Sequence, residues 1–182
     1  MKKLLTILSS LILLLSLLGC ESKDSDSHSD FLDPYSYRDN GSGAALKRYG
    51  DVVIQRDAKY PQTLMWQDNS DAKTIKKQWS IDHSYNTDGD TAASYCSNLV
   101  LATFDDWRVP TSDEMHILEM KNMNKNAHTL VNLARDDAYW TSTDSFGTTS
   151  RDCFQFSKNS GGIMFCRADT YRYVRCVRTM NN

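Results

Sequence analysis

Residues 105–115, DDWRVPTSDEM, decide how the middle of this chain folds. Two acids, a Trp-Arg pair, a proline, and then Ser with two more acids look like a catalytic cluster, yet the spacing has a structural explanation. Thr111 followed three residues later by Glu114 forms a capping box. The Thr111 hydroxyl accepts from the Glu114 N–H, and the Glu114 carboxylate accepts from the Thr111 N–H. Pro110 holds the approach extended, while Asp113 and Glu114 sit at the positive end of a helix dipole. Met115, Ile117, Leu118 and Met120 supply the buried side of the helix that follows. Paired carboxylates acting as acid and base need an apolar or like-charged setting, which a capped helix start lacks. The stretch is scaffold.

Upstream, Val52, Val53 and Ile54 give a short strand, QRDAKYPQ a turn region, and Leu64, Met65 and Trp66 a second strand, together a hairpin. Ala92, Tyr95, Cys96, Leu99 and Val100 then recur at helical spacing on one apolar face, with Asp90 placed as the cap, so Cys96 points inward. The last third is strand-rich, ending in YRYVRCVRT. An antiparallel hairpin with Cys153 opposite Cys166 places Phe154 against Phe165, Gln155 against Met164 and Phe156 against Ile163. The aromatic residues then share one face and both sulfurs the other.

The first 20 residues, MKKLLTILSSLILLLSLLGC, join two lysines to an apolar run too short to span a membrane as a folded helix, the pattern of an export signal. Leu17, Leu18 and Gly19 before Cys20 resemble a bacterial lipobox, in which the cysteine is lipidated after cleavage in front of it. Residues 1–19 are thus expected as signal peptide. Residues 20–48 are expected as lipidated cysteine and tether, its ESKDSDSHSD run unable to form a core. Residues 49–182 are expected as the domain. Several acyl chains on Cys20 anchor the protein to a membrane without crossing it. Glu21, in place of an aspartate, permits outer-membrane sorting.

The chain has 21 Lys+Arg against 23 Asp+Glu, and without Lys2 and Lys3 the balance is 19 against 23, so no nucleic-acid partner is implied. With Cys20 lipidated, Cys96, Cys153, Cys166 and Cys176 remain, an even set in an oxidising compartment. Count alone leaves three pairings open. The hairpin register selects Cys153–Cys166, and the remaining pair, Cys96–Cys176, ties the first helix to the last strand. None of the spacings is CxxC, which argues against a zinc or redox motif.

LMWQDN (residues 64–69), AASYCSNL (92–99), FDDWRVPTSDEM (104–115), YWTSTDS (139–145) and YVRCVR (173–178) resemble, in order and spacing, the Lcl C-terminal domain family. The resemblance covers roughly residues 51–178. It implies an α+β, C-type-lectin-like fold with two helices, a twisted antiparallel sheet and a disulfide from first helix to last strand. Two departures stand out. The Cys153–Cys166 pair reads as a local addition, and Pro61, Gln62, Thr63 and Leu64 stand where the family often has Thr-Gly-Leu before the Met-Trp, so the hairpin turn is expected to differ. Members of the wider fold bind glycans or proteins on exported surfaces. The Glu-Pro-Asn or Gln-Pro-Asp loop and the Trp-Asn-Asp strand of calcium-dependent lectins are absent, and Asp88 with Asp90 reads as turn and cap rather than as a calcium site.

Arg167, Arg172 and Arg175, with Arg151 and Arg178 nearby, are candidates to bind anionic glycans, and Tyr171 and Tyr173 to stack on sugar rings. Trp66, Trp107 and Trp140 lie in motifs and read as core. Trp79, in a polar segment, is expected to be exposed. His83, His116 and His128 lack metal-ligand spacing, and no serine sits in a nucleophile elbow. The expectation is therefore a lipid-anchored bacterial envelope protein with a binding or adhesion module, without catalytic residues, metal or cofactor. Its ligand is a glycan or an envelope or host protein, contacted through residues 73–90 and 141–150. The alternatives are an enzyme on the same fold, formylglycine-generating-like, and a structural envelope protein.

Overall fold

The computed structural model describes residues 46–57, 60–81, 87–123, 129–145, 150–157 and 161–180. The leader, Cys20, the tether up to residue 45, His83 and His128 lie outside the described residues. Among the described residues no helix is long and apolar enough to cross a membrane.

The fold is α+β, with two sheets where one was expected. The first has the order β1 (Leu46–Tyr49), β2 (Val52–Asp57), β3 (Tyr60–Gln67), β9 (Val177–Met180), all antiparallel. The second runs β4 (Lys76–Lys77), β8 (Arg172–Tyr173), β5 (Tyr139–Asp144), β6 (Ser150–Gln155), β7 (Gly162–Arg167) and contains one parallel pairing, β5 with β8. Strand β1 was not expected, because LKRY carries two cations. It is joined to β2 by Gly50 and Asp51, Gly50 taking the positive φ of 53° that a tight turn requires. The expected turn QRDAKYPQ is mostly strand, since Asp57 already opposes Tyr60.

The terminal segment YRYVRCVRT is two strands, not one. Arg172 and Tyr173 pair in the second sheet, the chain breaks register at residues 174–176, and Val177 begins pairing in the first. The end of the chain therefore stitches the sheets together. Their shared core contains Trp66, Met115, Leu118, Tyr139, Phe154, Phe156 and Val177, and each such side chain contributes about 1.5–3 kcal/mol by leaving water.

Helix α1 (Ala92–Ser97) is capped by Thr91 rather than Asp90. The Thr91 N–H donates to Ser94 Oγ at 2.9 Å and the Ser94 N–H to Thr91 Oγ1 at 3.2 Å, whereas Asp90 is drawn away to Lys77. The helix also ends sooner than its apolar pattern suggests. Leu101 and Phe104 close a tight turn across Ala102 and Thr103, both at positive φ, and Val100 is left 71% exposed. Helix α2 (Ser112–Met123) starts as expected, with Thr111 N–H on Glu114 Oε2 at 2.8 Å and Glu114 N–H on Thr111 Oγ1 at 3.2 Å. Arg108 adds two bonds to the Glu114 carboxylate, of 2.8 and 2.6 Å. Met115 and Leu118 are buried, but Met120 faces solvent and Glu119 takes an inward position.

Both expected disulfides form. Cys96–Cys176 spans a Cα separation of 5.5 Å and Cys153–Cys166 one of 5.9 Å. In the chain-entropy model their loops are worth roughly 4.5 and 3 kcal/mol. The hairpin register, however, differs by two residues: Cys153 opposes Met164, Arg151 opposes Cys166 and Phe154 opposes Ile163. A shift of two preserves every residue's face, so hydrophobic pattern cannot detect it; only odd shifts invert the faces. The register is associated with Glu119, whose Oε1 accepts from the Ser157 N–H at 3.3 Å and whose carboxylate packs where a side chain at position 161 would sit. Because β7 is an edge strand, Ile163 and Phe165 share a face with buried Phe154 yet remain exposed.

Burial opposes ionisation of Glu114, but the Arg108 guanidinium and the Thr111 donors outweigh it and hold the carboxyl below the ordinary glutamate range. A carboxyl depressed in the folded state stabilises the fold above its unfolded value of about 4.3. That contribution disappears as pH falls through the folded value. Glu114→Gln should thus cost about 1–2 kcal/mol at pH 7 and flatten the acid limb of urea midpoint against pH. An unaltered acid limb would contradict this role.

Candidate functional site

The basic residues at the end of the chain do not converge on a common surface. Arg175 is wholly buried. Its Nη1 donates to the Gln67 carbonyl at 2.5 Å and to Asp68 Oδ1 at 3.2 Å, and its Nη2 to the Asn132 carbonyl. Arg178 lies 3.8 Å over the Phe104 ring and bonds Asp106 at 2.5 and 3.0 Å, a contact that lowers the Asp106 carboxyl. Arg172 pairs with Asp137 at 3.1 Å, alongside Lys76 at 2.7 Å. Arg151 is bonded to the Ser142 carbonyl and to Asp144. Arg167 is exposed and forked onto Asp169.

The aromatic candidates also separate. Tyr171 is 59% exposed, whereas Tyr173 is buried and donates its hydroxyl to Asp136 at 3.2 Å, with Lys76 over its ring. Trp79 was expected at the surface and is 6% exposed, a correction to the sequence reading. Its ring is covered by the Arg151 guanidinium at 4.2 Å and by Trp140 at 6.1 Å. The polar residues around it made the segment look solvated, but the Arg151 guanidinium stacks on the buried ring. Trp66, Trp107 and Trp140 are core, as expected. Of the six proposed contacts, Arg167 and Tyr171 are exposed and Arg172 is partly so.

A different region is concave. Between α1 and the 3-10 turn Ser70–Lys73 lies an open cleft of about 490 Å³, within the size range of small-ligand sites. Asp71, Asp90, Ser94, Tyr95 and Asn98 line it together with Leu99 and Val100. The walls are fixed from behind. Cys96, one residue from Tyr95, is bridged to Cys176, and Gln67 Nε2 donates to the Tyr95 hydroxyl at 3.0 Å. Burial pushes the Tyr95 hydroxyl up, and Asp71 adds to the effect, so the group remains a neutral donor at pH 7. Sequence reading placed Tyr95, Leu99 and Val100 on a buried helix face. Asp71 and Asn98 carried no signal, β4 and α1 lying between them in sequence.

Residues 58–178 match the Lcl C-terminal domain model. The chain belongs to the Lcl C-terminal domain family. No curated protein matches it. The Lcl C-terminal match begins after β2, runs into β9 and contains both disulfides and every cleft residue, while β1 and β2 precede it.

The two arginines that best separate fold from surface are Arg178 and Arg167. Arg178→Ala should lower unfolding free energy by about 1–3 kcal/mol through lost packing and charge-assisted bonds, and Arg167→Ala by no more than about 0.5 kcal/mol. Urea denaturation of both variants checks this; equal losses would overturn the assignment.

Proposed function

We propose that this is a lipid-anchored protein of the bacterial cell envelope, sorted to the outer membrane, whose domain is a C-type-lectin-like binding or adhesion module. The lipobox-like Leu17 to Cys20 and the Ser/Asp-rich tether support the anchor. A disulfide from the first α-helix to the residue before the last strand, and a terminal segment serving both sheets, support the C-type-lectin-like reading. The partner is a glycan or an envelope or host protein. An enzyme of the formylglycine-generating kind needs reactive cysteines, and Cys96, Cys153, Cys166 and Cys176 are all bridged.

The observation that carries the binding reading is the cleft beside α1. It combines convergent polar groups with an exposed apolar end, whereas Arg175 and Arg178, which lay among the candidate basic surface, are consumed by internal ion pairs. Its walls are held by a disulfide and a buried glutamine, and such preorganisation lowers the entropy lost on binding.

Screening the full chain in neutral-detergent micelles against arrayed glycans and peptides tests this. Bound ligands should be lost about tenfold or more in Asn98→Ala and Val100→Asp, and retained in Tyr171→Ala. Retention in the cleft variants with loss in Tyr171→Ala would move the site to the β7–β8 connection and refute the cleft.

A further inference from the structure

The described cations are largely spent. Arg48 and Arg175 serve Asp68, Lys76 and Arg172 serve Asp137, Arg108 serves Glu114, Arg178 serves Asp106, and Lys77 serves Asp90 at the cleft rim. Asp71 is different. Among the described residues it has no cationic partner; its contacts are the Ser70 hydroxyl at 3.4 Å and the Tyr95 hydroxyl. Tyr95 is itself fixed by Gln67, and Asp71 lines the open cleft with no cation among the described residues compensating its charge.

Leu99 and Val100 supply the apolar part of the same lining, and Val100 is exposed. Gly89 lines the floor, and Ile81, also exposed, packs against it so closely that a side chain there would collide with it. The cleft thus presents a fixed anion, an amide and an aliphatic surface together. A lysine side chain has the matching form: an ammonium with three donors on an unbranched aliphatic stem that lies along apolar surface while its head stays wet.

Resting on the reading of this cleft as the ligand site, we propose that it takes a lysine side chain from an extended segment of a partner protein, the ammonium on Asp71 and the stem along Leu99 and Val100. The two aliphatic side chains of the lining, Leu99 and Val100, favour a peptide over an amino sugar, whose rim is hydroxylated throughout.

The test uses the full chain in neutral-detergent micelles, isotope-labelled for amide NMR, titrated with a capped hexapeptide of alternating valine and lysine, its acetyl-lysine counterpart, and a glucosamine oligomer. The lysine peptide should shift the resonances of Tyr95, Asn98 and Val100 and bind about fivefold or more tightly than the acetylated one. In Asp71→Asn that preference should vanish, and acetylating the peptide provides the same deletion without touching the protein. Preference retained in Asp71→Asn, or shifts confined to other surfaces, would overturn the proposal. A glucosamine oligomer that shifts these resonances while the lysine peptide does not would overturn it too, leaving the cleft as the site. If no probe from these or from the arrayed ligands moves them, the cleft reading falls with it.

Discussion

The buried Asp68 carboxylate is the contact on which the rest depends. Wholly removed from water, it accepts from Arg175 at 3.2 Å, from Arg48, and from the N–H groups of Val131 and Asn132 at 3.0 and 3.1 Å. Those donors come from β1, from the segment before β5, and from the break between β8 and β9. A single side chain therefore ties the first sheet to the segment before β5 and to the break between β8 and β9. Such a centre costs several kcal/mol in desolvation per ion and is stable only when its lone pairs are filled, as they are here. Arg175 completes the arrangement by also donating to the Gln67 and Asn132 carbonyls.

The same centre reaches the cleft. Gln67, next to Asp68 and equally buried, accepts from the Cys176 N–H at 3.0 Å and donates to Tyr95 Oη. The Cys96–Cys176 bridge runs parallel to that path. The position of Tyr95, and through it of Asp71, is consequently set by the element that closes the fold. Folding and cleft geometry share one constraint, which is why arginines at the end of the chain are better understood as closure than as a ligand surface.

Local chemistry was legible in the sequence wherever a motif is complete within a few residues. The Thr111–Glu114 capping box, the inward Cys96 and the β2–β3 hairpin follow from short-range spacing, and the pattern of the Cys153–Cys166 hairpin left Cys96 to pair with Cys176. What was not legible required partners distant in sequence. Arg151 over Trp79 and Glu119 on the Ser157 N–H join separate elements, and neither leaves a local pattern. Asp90 lost its role as cap to Lys77, an ion pair that spacing cannot show. The Asp68 centre itself sits inside LMWQDN, where a polar pair after a strand reads as a turn.

A double-mutant cycle between Asp68→Asn and Arg175→Met, followed by urea unfolding of the full chain, measures the central contact directly. If this pair closes the fold, each single substitution should cost about 3–5 kcal/mol, because the partner is left buried and uncompensated. The two should then couple by about 2–3 kcal/mol. Single costs below about 1 kcal/mol that add within about 0.5 kcal/mol would show that the sheets are joined by something else, and would contradict the account.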